Sequence, residues 1–325
     1  MRRVLVTGAA GFIGSHVSRA LLGRGVSVRG VDAFTDYYAR SLKEANVADI
    51  IGRDDFELIE TDLATAETAH LLDGMDAVCH LAAQAGVRAS WGKSFETYID
   101  CNIRSTQRLL EAAKELALER FVCASSSSVY GETKDLPMRE SGRTNPVSPY
   151  GVTKLAAENL AVLYHRSYGV PTVSLRFFTV YGPGQRPDMA FHRFIRAALE
   201  DEPITVYGDG EQTRDFTYVD DIVRGTVSAL EDGPPGEVLN LGGGSRVTLN
   251  AAIATIESAL GTSIRRRYVA KARGDVTDTL AANEKAVREI GFTPEVGLDE
   301  GIRAQCAWMR TLVSSGGASG SLDSS

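Results

Sequence analysis

The chain has 325 residues, 43% of them hydrophobic and 24% charged, with a formal net charge of −7. That balance suits one large globular domain or two small ones with a sizeable core. The acidic excess argues against nucleic acid as the main partner, because phosphate backbones select basic faces, though a small phosphate ligand needs only a local cluster of donors.

In chain order, residues 4–7 read as a strand, 13–22 as a helix, and 26–31 and 56–61 as strands. Strands at 77–81 and 121–124 follow, with helical stretches at 97–116 and 154–168 and a further strand at 173–178. The short apolar run of MRRVLVTG leads straight into a glycine turn, so it reads as a first strand and not as a signal peptide. Alternation at this spacing predicts an α/β fold: a Rossmann-type, doubly wound parallel sheet covered by helices, with ligands beyond the carboxyl ends of the strands.

After Tyr181 the rhythm breaks at Gly182, Pro183, Gly184 and Pro187. Shorter elements at 191–199, 204–207, 221–230, 238–241, 249–260 and 284–290 read as a smaller C-terminal α/β substrate lobe. The expected division is 1–180 for the dinucleotide domain, with 217–243 returning to it, and 181–313 mainly for the lobe. The small, polar stretch 314–325 reads as a disordered tail. No apolar run approaches the ~18 residues of a membrane span, so no membrane partner is expected. Cys79, Cys101, Cys123 and Cys306 lack CxxC spacing, which predicts reduced thiols, a cytoplasmic setting and no metal site.

Gly8, Gly11 and Gly14 lie between the first strand and the first helix. There they allow a tight turn and a close approach to a pyrophosphate, which meets the free N–H groups of the helix start. Asp32 ends the second strand, where its carboxylate can accept from ribose hydroxyls and repels a 2′-phosphate, favouring NAD over NADP. The competing reading of Asp32 is a solvated strand end. Asp62 and Leu63 follow the third strand, beside the expected adenine. Small residues at Ala82 and Ala83 close the fourth, where His80 reads as a satisfied strand-end histidine.

Tyr150 and Lys154 stand four residues apart, on one face of a helix. An unperturbed phenol, with a pKa near ~10, is too weak a base at neutral pH. A neighbouring ammonium favours the phenolate and makes the pair a working general base. The pair follows a fifth strand that ends in Ser125-Ser126-Ser127-Ser128.

With these features the sequence resembles the extended short-chain dehydrogenase/reductase family. The resemblance runs from about Arg2 to Met309, on TGAAGFIG (7–14), the serine-rich strand end, SPYGVTK (148–154), RFFTVYGPG (176–184) and RDFTYVDD (214–221). It implies Ser126, Tyr150 and Lys154 as the catalytic set: Ser126 on the reacting hydroxyl, Tyr150 as base and Lys154 on the nicotinamide ribose. It extends the NAD site to Phe12, Ile13, Lys43, Gln84, Asn102 and Phe177.

Relatives in the family that eliminate water carry Asp-Glu where this chain has Ser127-Ser128. Hydroxyls bind but do not perform that proton chemistry at neutral pH, so elimination is not expected. What remains is oxidation at C4 of a UDP-sugar, rotation of the keto sugar and return of the hydride to its other face. AAQAGVRASW (82–91), TDYYARSLK (35–43) and FFTVYGPGQRPDMA (177–190) resemble UDP-glucuronate 4-epimerases. UDP-galactose epimerases usually carry Asn where Thr179 stands. A UDP-glucose or UDP-N-acetylglucosamine epimerase is the same-fold alternative, and an NAD-binding scaffold without turnover is the alternative of another class.

The expected substrate contacts are Arg88, Ser126, Ser127, Ser128, Tyr150, Thr179, Arg186, Arg214 and Asp275. By resemblance Arg214 sits on the diphosphate and Asp275 on the uridine ribose. The competing reading of the three arginines is a solvated surface. Apolar faces on the helices at 97–116 and 155–168 suggest pairing with a second copy in a homodimer, although burial within one chain gives the same periodicity.

Overall fold

The computed structural model describes residues 1–314. The first half runs β1 (Arg3–Thr7), α1 (Phe12–Gly23), β2 (Ser27–Asp32), α2 (Arg40–Val47), β3 (Phe56–Glu60), α3 (Ala69–Leu72) and β4 (Ala77–His80). Then α4 (Phe95–Tyr98), a π-helical segment at Ile99–Arg104 and α5 (Ser105–Ala113) follow one another without a break. β5 (Arg120–Ser126), α6 (Pro149–Tyr168), β6 (Thr172–Phe177) and β7 (Thr179–Tyr181) come next. The remainder is α7 (Ala190–Leu199), β8 (Ile204–Tyr207), β9 (Thr213–Tyr218), α8 (Val219–Asp232), β10 (Glu237–Leu241), β11 (Arg246–Thr248), α9 (Leu249–Leu260), β12 (Arg266–Val269), α10 (Glu284–Ile290) and α11 (Leu298–Ser314).

Seven strands form one sheet in the order β10-β6-β5-β4-β1-β2-β3, and every pairing in it is parallel. The expected Rossmann-type sheet is therefore present. Its strands alternate: Val4 and Val6 face one core with Val17 and Leu21 of α1 and Ile222 of α8, while Leu5 and Val78 face the other with Leu109 of α5 and Ala161 of α6. Strand order reverses between β1 and β4, and the crevice beyond their carboxyl ends is where this architecture binds ligands. β10 comes from the second half of the chain and forms the edge strand beside β6.

The smaller elements make a three-stranded sheet, β11-β9-β7, and a parallel pair, β12-β8, packed with α7, α9 and α11.

Four local readings are corrected. α6 begins at Pro149, not at 154, because Ser148 caps it through Gly151 N (3.1 Å) and proline suits the first helical turn. The helical stretch at 97–116 carries a π segment, and α11 had no counterpart in the expected elements. Ser314 is the last residue of α11 and not part of a tail; the rest of that expected tail, 315–325, lies outside the described residues.

Among the described residues no helix is long and apolar enough to cross a membrane, and no His/Cys/Asp/Glu cluster could hold a metal. All four cysteines are free.

Candidate active site

The glycine loop is built for backbone, not side chains. Gly8 turns at φ +71°, and its N–H and that of Ala9 both donate to Val31 O on β2, at 2.7 and 3.2 Å. A Cβ on Gly14 would stand 2.0 Å from Gly8 O, and one on Gly8 2.9 Å from Ala82 N. Only hydrogen fits at either place. Gly11 gives α1 no side-chain cap, so Phe12 and Ile13 open the helix with its first N–H groups available to an anion. Asp32 holds the loop in place, accepting from Ala10 N (3.1 Å) and Phe34 N (2.9 Å).

Lys43 is buried, with Nζ 2.6 Å from Thr35 O, and burial lowers its pKa. Asp62 lies two residues past β3 and accepts from Ala64 N (2.8 Å); Leu63 beside it is buried. Past β4, Asn102 in the π segment grips the loop: it accepts from Gln84 N (2.7 Å) and donates to Gln84 O (3.0 Å) and Thr153 Oγ1 (2.9 Å). A π turn shifts the side chains after it, which suits a residue that must reach sideways between two elements. Ala82 and Ala83 lie in this loop; His80, below it, bonds Thr7 and Thr106 through both ring nitrogens.

Ser126 ends β5, paired in register with Phe177 on β6. Its Oγ accepts from Ser128 N (3.1 Å), which winds Ser127 and Ser128 into a 3₁₀ turn. The carbonyl of Ser128 packs against α6 at Gly151, where a Cβ would come within 2.6 Å of it. Tyr150 and Lys154 thereby stand over the serine turn. Burial raises the Tyr150 phenol, against downward pulls from Ser126 and Arg186. Burial lowers the Lys154 ammonium to about 8. Lys154 makes no hydrogen bond or ion pair with the described residues, so its ammonium is free to hold a ribose hydroxyl. The glycine cradle and this buried donor fit a dinucleotide.

Of the expected anion contacts, Arg186 acts electrostatically on Tyr150 and pairs with Asp188 at 3.0 Å. Arg214 has no carboxylate partner and donates to the carbonyls of Thr213, Thr277 and Val276 at 2.8–3.1 Å. Arg88 and Asp275 pair with one another at 2.7 Å, and Arg88 lies 3.8 Å over the Tyr207 ring. Thr179 opens β7, partly exposed.

Three residues at the site escaped the sequence reading. Tyr37 donates to Asp188 (3.2 Å), Tyr98 packs its ring edge-on to Tyr150 with centroids 6.2 Å apart, and Asp188 holds both Tyr37 and Arg186. Asp188 had a signal in its two-residue spacing from Arg186. Tyr37 stands in the TDYYARSLK stretch (35–43), and Tyr98 had no signal beyond composition.

A parallel sheet with this cradle and a Tyr–Lys pair at its carboxyl edge is the arrangement of a dinucleotide-dependent enzyme. A family model described as the NAD dependent epimerase/dehydratase family matches residues 4–242, and the chain belongs to that family. An uncharacterized UDP-glucose epimerase of Bacillus subtilis is 44% identical over 95% of this chain and 98% of its own length. A UDP-glucuronate 4-epimerase of Thermodesulfobacterium geofontis is 39% identical over 94% and 95%. The crystal structure of UDP-glucuronic acid 4-epimerase from Bacillus cereus, in complex with UDP-glucuronic acid and NAD, is similar with a TM-score of 0.93 at 44% identity. That match covers 95% of this chain and 99% of the other.

Proposed function

We propose that this protein is an NAD-dependent isomerase that inverts C4 of UDP-glucuronate, giving UDP-galacturonate through a transient 4-keto sugar. One observation carries the choice of reaction: the turn facing Tyr150 is Ser126-Ser127-Ser128, with hydroxyls and no carboxylate. In this reading Ser126 binds the C4 hydroxyl and Tyr150 removes its proton. Lys154 holds the ribose of the cofactor and favours the phenolate. The glycine loop and Lys154 would hold NAD, which would supply a reversible hydride acceptor at C4. Arg214 would hold the diphosphate, Asp275 the uridine ribose, and Ser127, Ser128, Thr179 and Arg186 the acidic end of the sugar. Gly8, Gly11, Gly14, Asp32, Lys43 and Asn102 would shape the NAD site.

The proposed division is 1–180, with 217–243, for the dinucleotide, and 181–313 mainly for the sugar nucleotide. The exposed apolar residues Val152 and Leu163 of α6 support a homodimer, and the free cysteines agree with a cytoplasmic setting.

A second reading, UDP-glucose 4-epimerisation, draws on the name of the Bacillus subtilis relative. Incubation with UDP-glucuronate, UDP-glucose and UDP-N-acetylglucosamine separately, with resolution of the products, decides between them. Conversion of the acid is expected; conversion of a neutral sugar alone would sink the glucuronate assignment.

A further inference from the structure

Two ionisable neighbours act on the Lys154 ammonium, Cys123 on β5 and Glu158 one helical turn further along α6, and the ammonium in turn acts on His80 on β4. Burial holds the His80 imidazole neutral, with a pKa of about 3, and pushes the Cys123 thiol up to about 12. Glu158 differs from both, being the carboxylate of a buried ion pair. Arg176 on β6 reaches it twice, Nε to Oε2 at 2.9 Å and Nη2 to Oε1 at 2.6 Å, with both side chains about 5% exposed or less. Ser125 on β5 donates to the same Oε2 at 2.7 Å.

Glu158 therefore ties α6, β5 and β6 together one residue before Ser126 and one before Phe177. Arg176 is held in turn by the Tyr130 ring, 4.6 Å from its guanidinium, and Tyr130 donates to Asn240 on β10 at 2.7 Å. A buried ion pair bears a desolvation cost that apolar side chains of the same volume avoid. Packing alone does not call for charge at this place.

We propose that Glu158 is a positioning residue of the hydride-transfer site. Anchored by Arg176 and Ser125, its carboxylate sets a buried negative charge one helical turn from the Lys154 ammonium and fixes Ser126 at the end of β5. The proposal rests on the roles given above to Ser126, Tyr150 and Lys154.

Two charge variants test it by direction. Glu158→Gln keeps an acceptor for Ser125 but leaves Arg176 unpaired near Lys154, so the ammonium loses its proton sooner. The basic limb of kcat against pH is expected to move down by about one unit. Arg176→Gln leaves Glu158 to pair with Lys154 and is expected to move the same limb up. Limbs that stay in place in both variants, whatever the loss in kcat, overturn the proposal.

Ultraviolet titration of the NAD-bound protein, with the corresponding Tyr150→Phe protein subtracted, gives a readout apart from turnover. Glu158→Gln removes a buried anion and leaves the Arg176 cation unpaired, so it should lower the pH at which the Tyr150 phenolate forms, and an unmoved titration overturns the proposal. This titration stands even if UDP-glucuronate proves not to be the substrate, so the two readings fail separately. Should a charge variant not fold, Ser125→Ala removes the tether and keeps both charges. It is expected to lower kcat about tenfold with KM and both limbs unchanged, and an unchanged kcat overturns the tether.

Discussion

Ser127, Ser128 and Thr179 carry the consequence of having hydroxyls where acids would drive elimination. Oxidation of a glucuronate at C4 yields a β-keto acid, which loses carbon dioxide once its carboxylate turns perpendicular to the ketone. Short hydroxyl donors on the 3₁₀ turn and at the start of β7 can hold the carboxylate out of that geometry. Thr179→Asn or Thr179→Val should therefore raise the share of UDP-pentose products several-fold, read by chromatography of the reaction mixture. An unchanged product partition would count against this role. The serines and the threonine were legible because they lie in contiguous motifs. Tyr37 and Asp188 meet across 151 residues, and no local pattern announces such a contact.

At the scale of elements, the glycine loop depends on hydrogen at two positions, Gly8 and Gly14. Gly14→Ala would place a methyl 2.0 Å from Gly8 O, a backbone atom that cannot swing aside. The loop must open, at a cost of about 1–3 kcal/mol. The variant is expected to purify with little bound NAD and to melt several degrees below the parent, measured by dinucleotide release and thermal unfolding. Full NAD content would contradict the cradle. This loop was readable because strand, glycines and helix are consecutive. The start of α6 was misplaced because apolar periodicity begins later than the cap, although Ser148 and Pro149 hold the information. The π segment around Asn102 was not readable, since its sequence is compatible with an ordinary helix.

At the scale of the whole molecule, α6 exposes Val152 and Leu163, eleven residues apart on one face, at 47% and 53%, while its opposite face packs on the sheet. A helix with both faces apolar asks for a second partner. Leu163→Glu is expected to convert a dimer to a monomer in size-exclusion chromatography with light scattering, with the fold retained by circular dichroism. A parent protein that runs as a monomer would refute the pairing.

Periodicity of two and of 3.6, glycine at a strand-to-helix turn, and the four-residue spacing of Tyr150 and Lys154 are local properties. The sequence by itself therefore determined the sheet, the glycine loop and the Tyr150–Lys154 pair. Tertiary structure alone decided the rest: that β7 and β9 pair in a second sheet, that Arg88 and Asp275 meet, and that Glu158 is held from β5 and β6 at once. Those contacts join residues far apart in the chain, and their partners are chosen by how the layers pack, which no short stretch of sequence encodes.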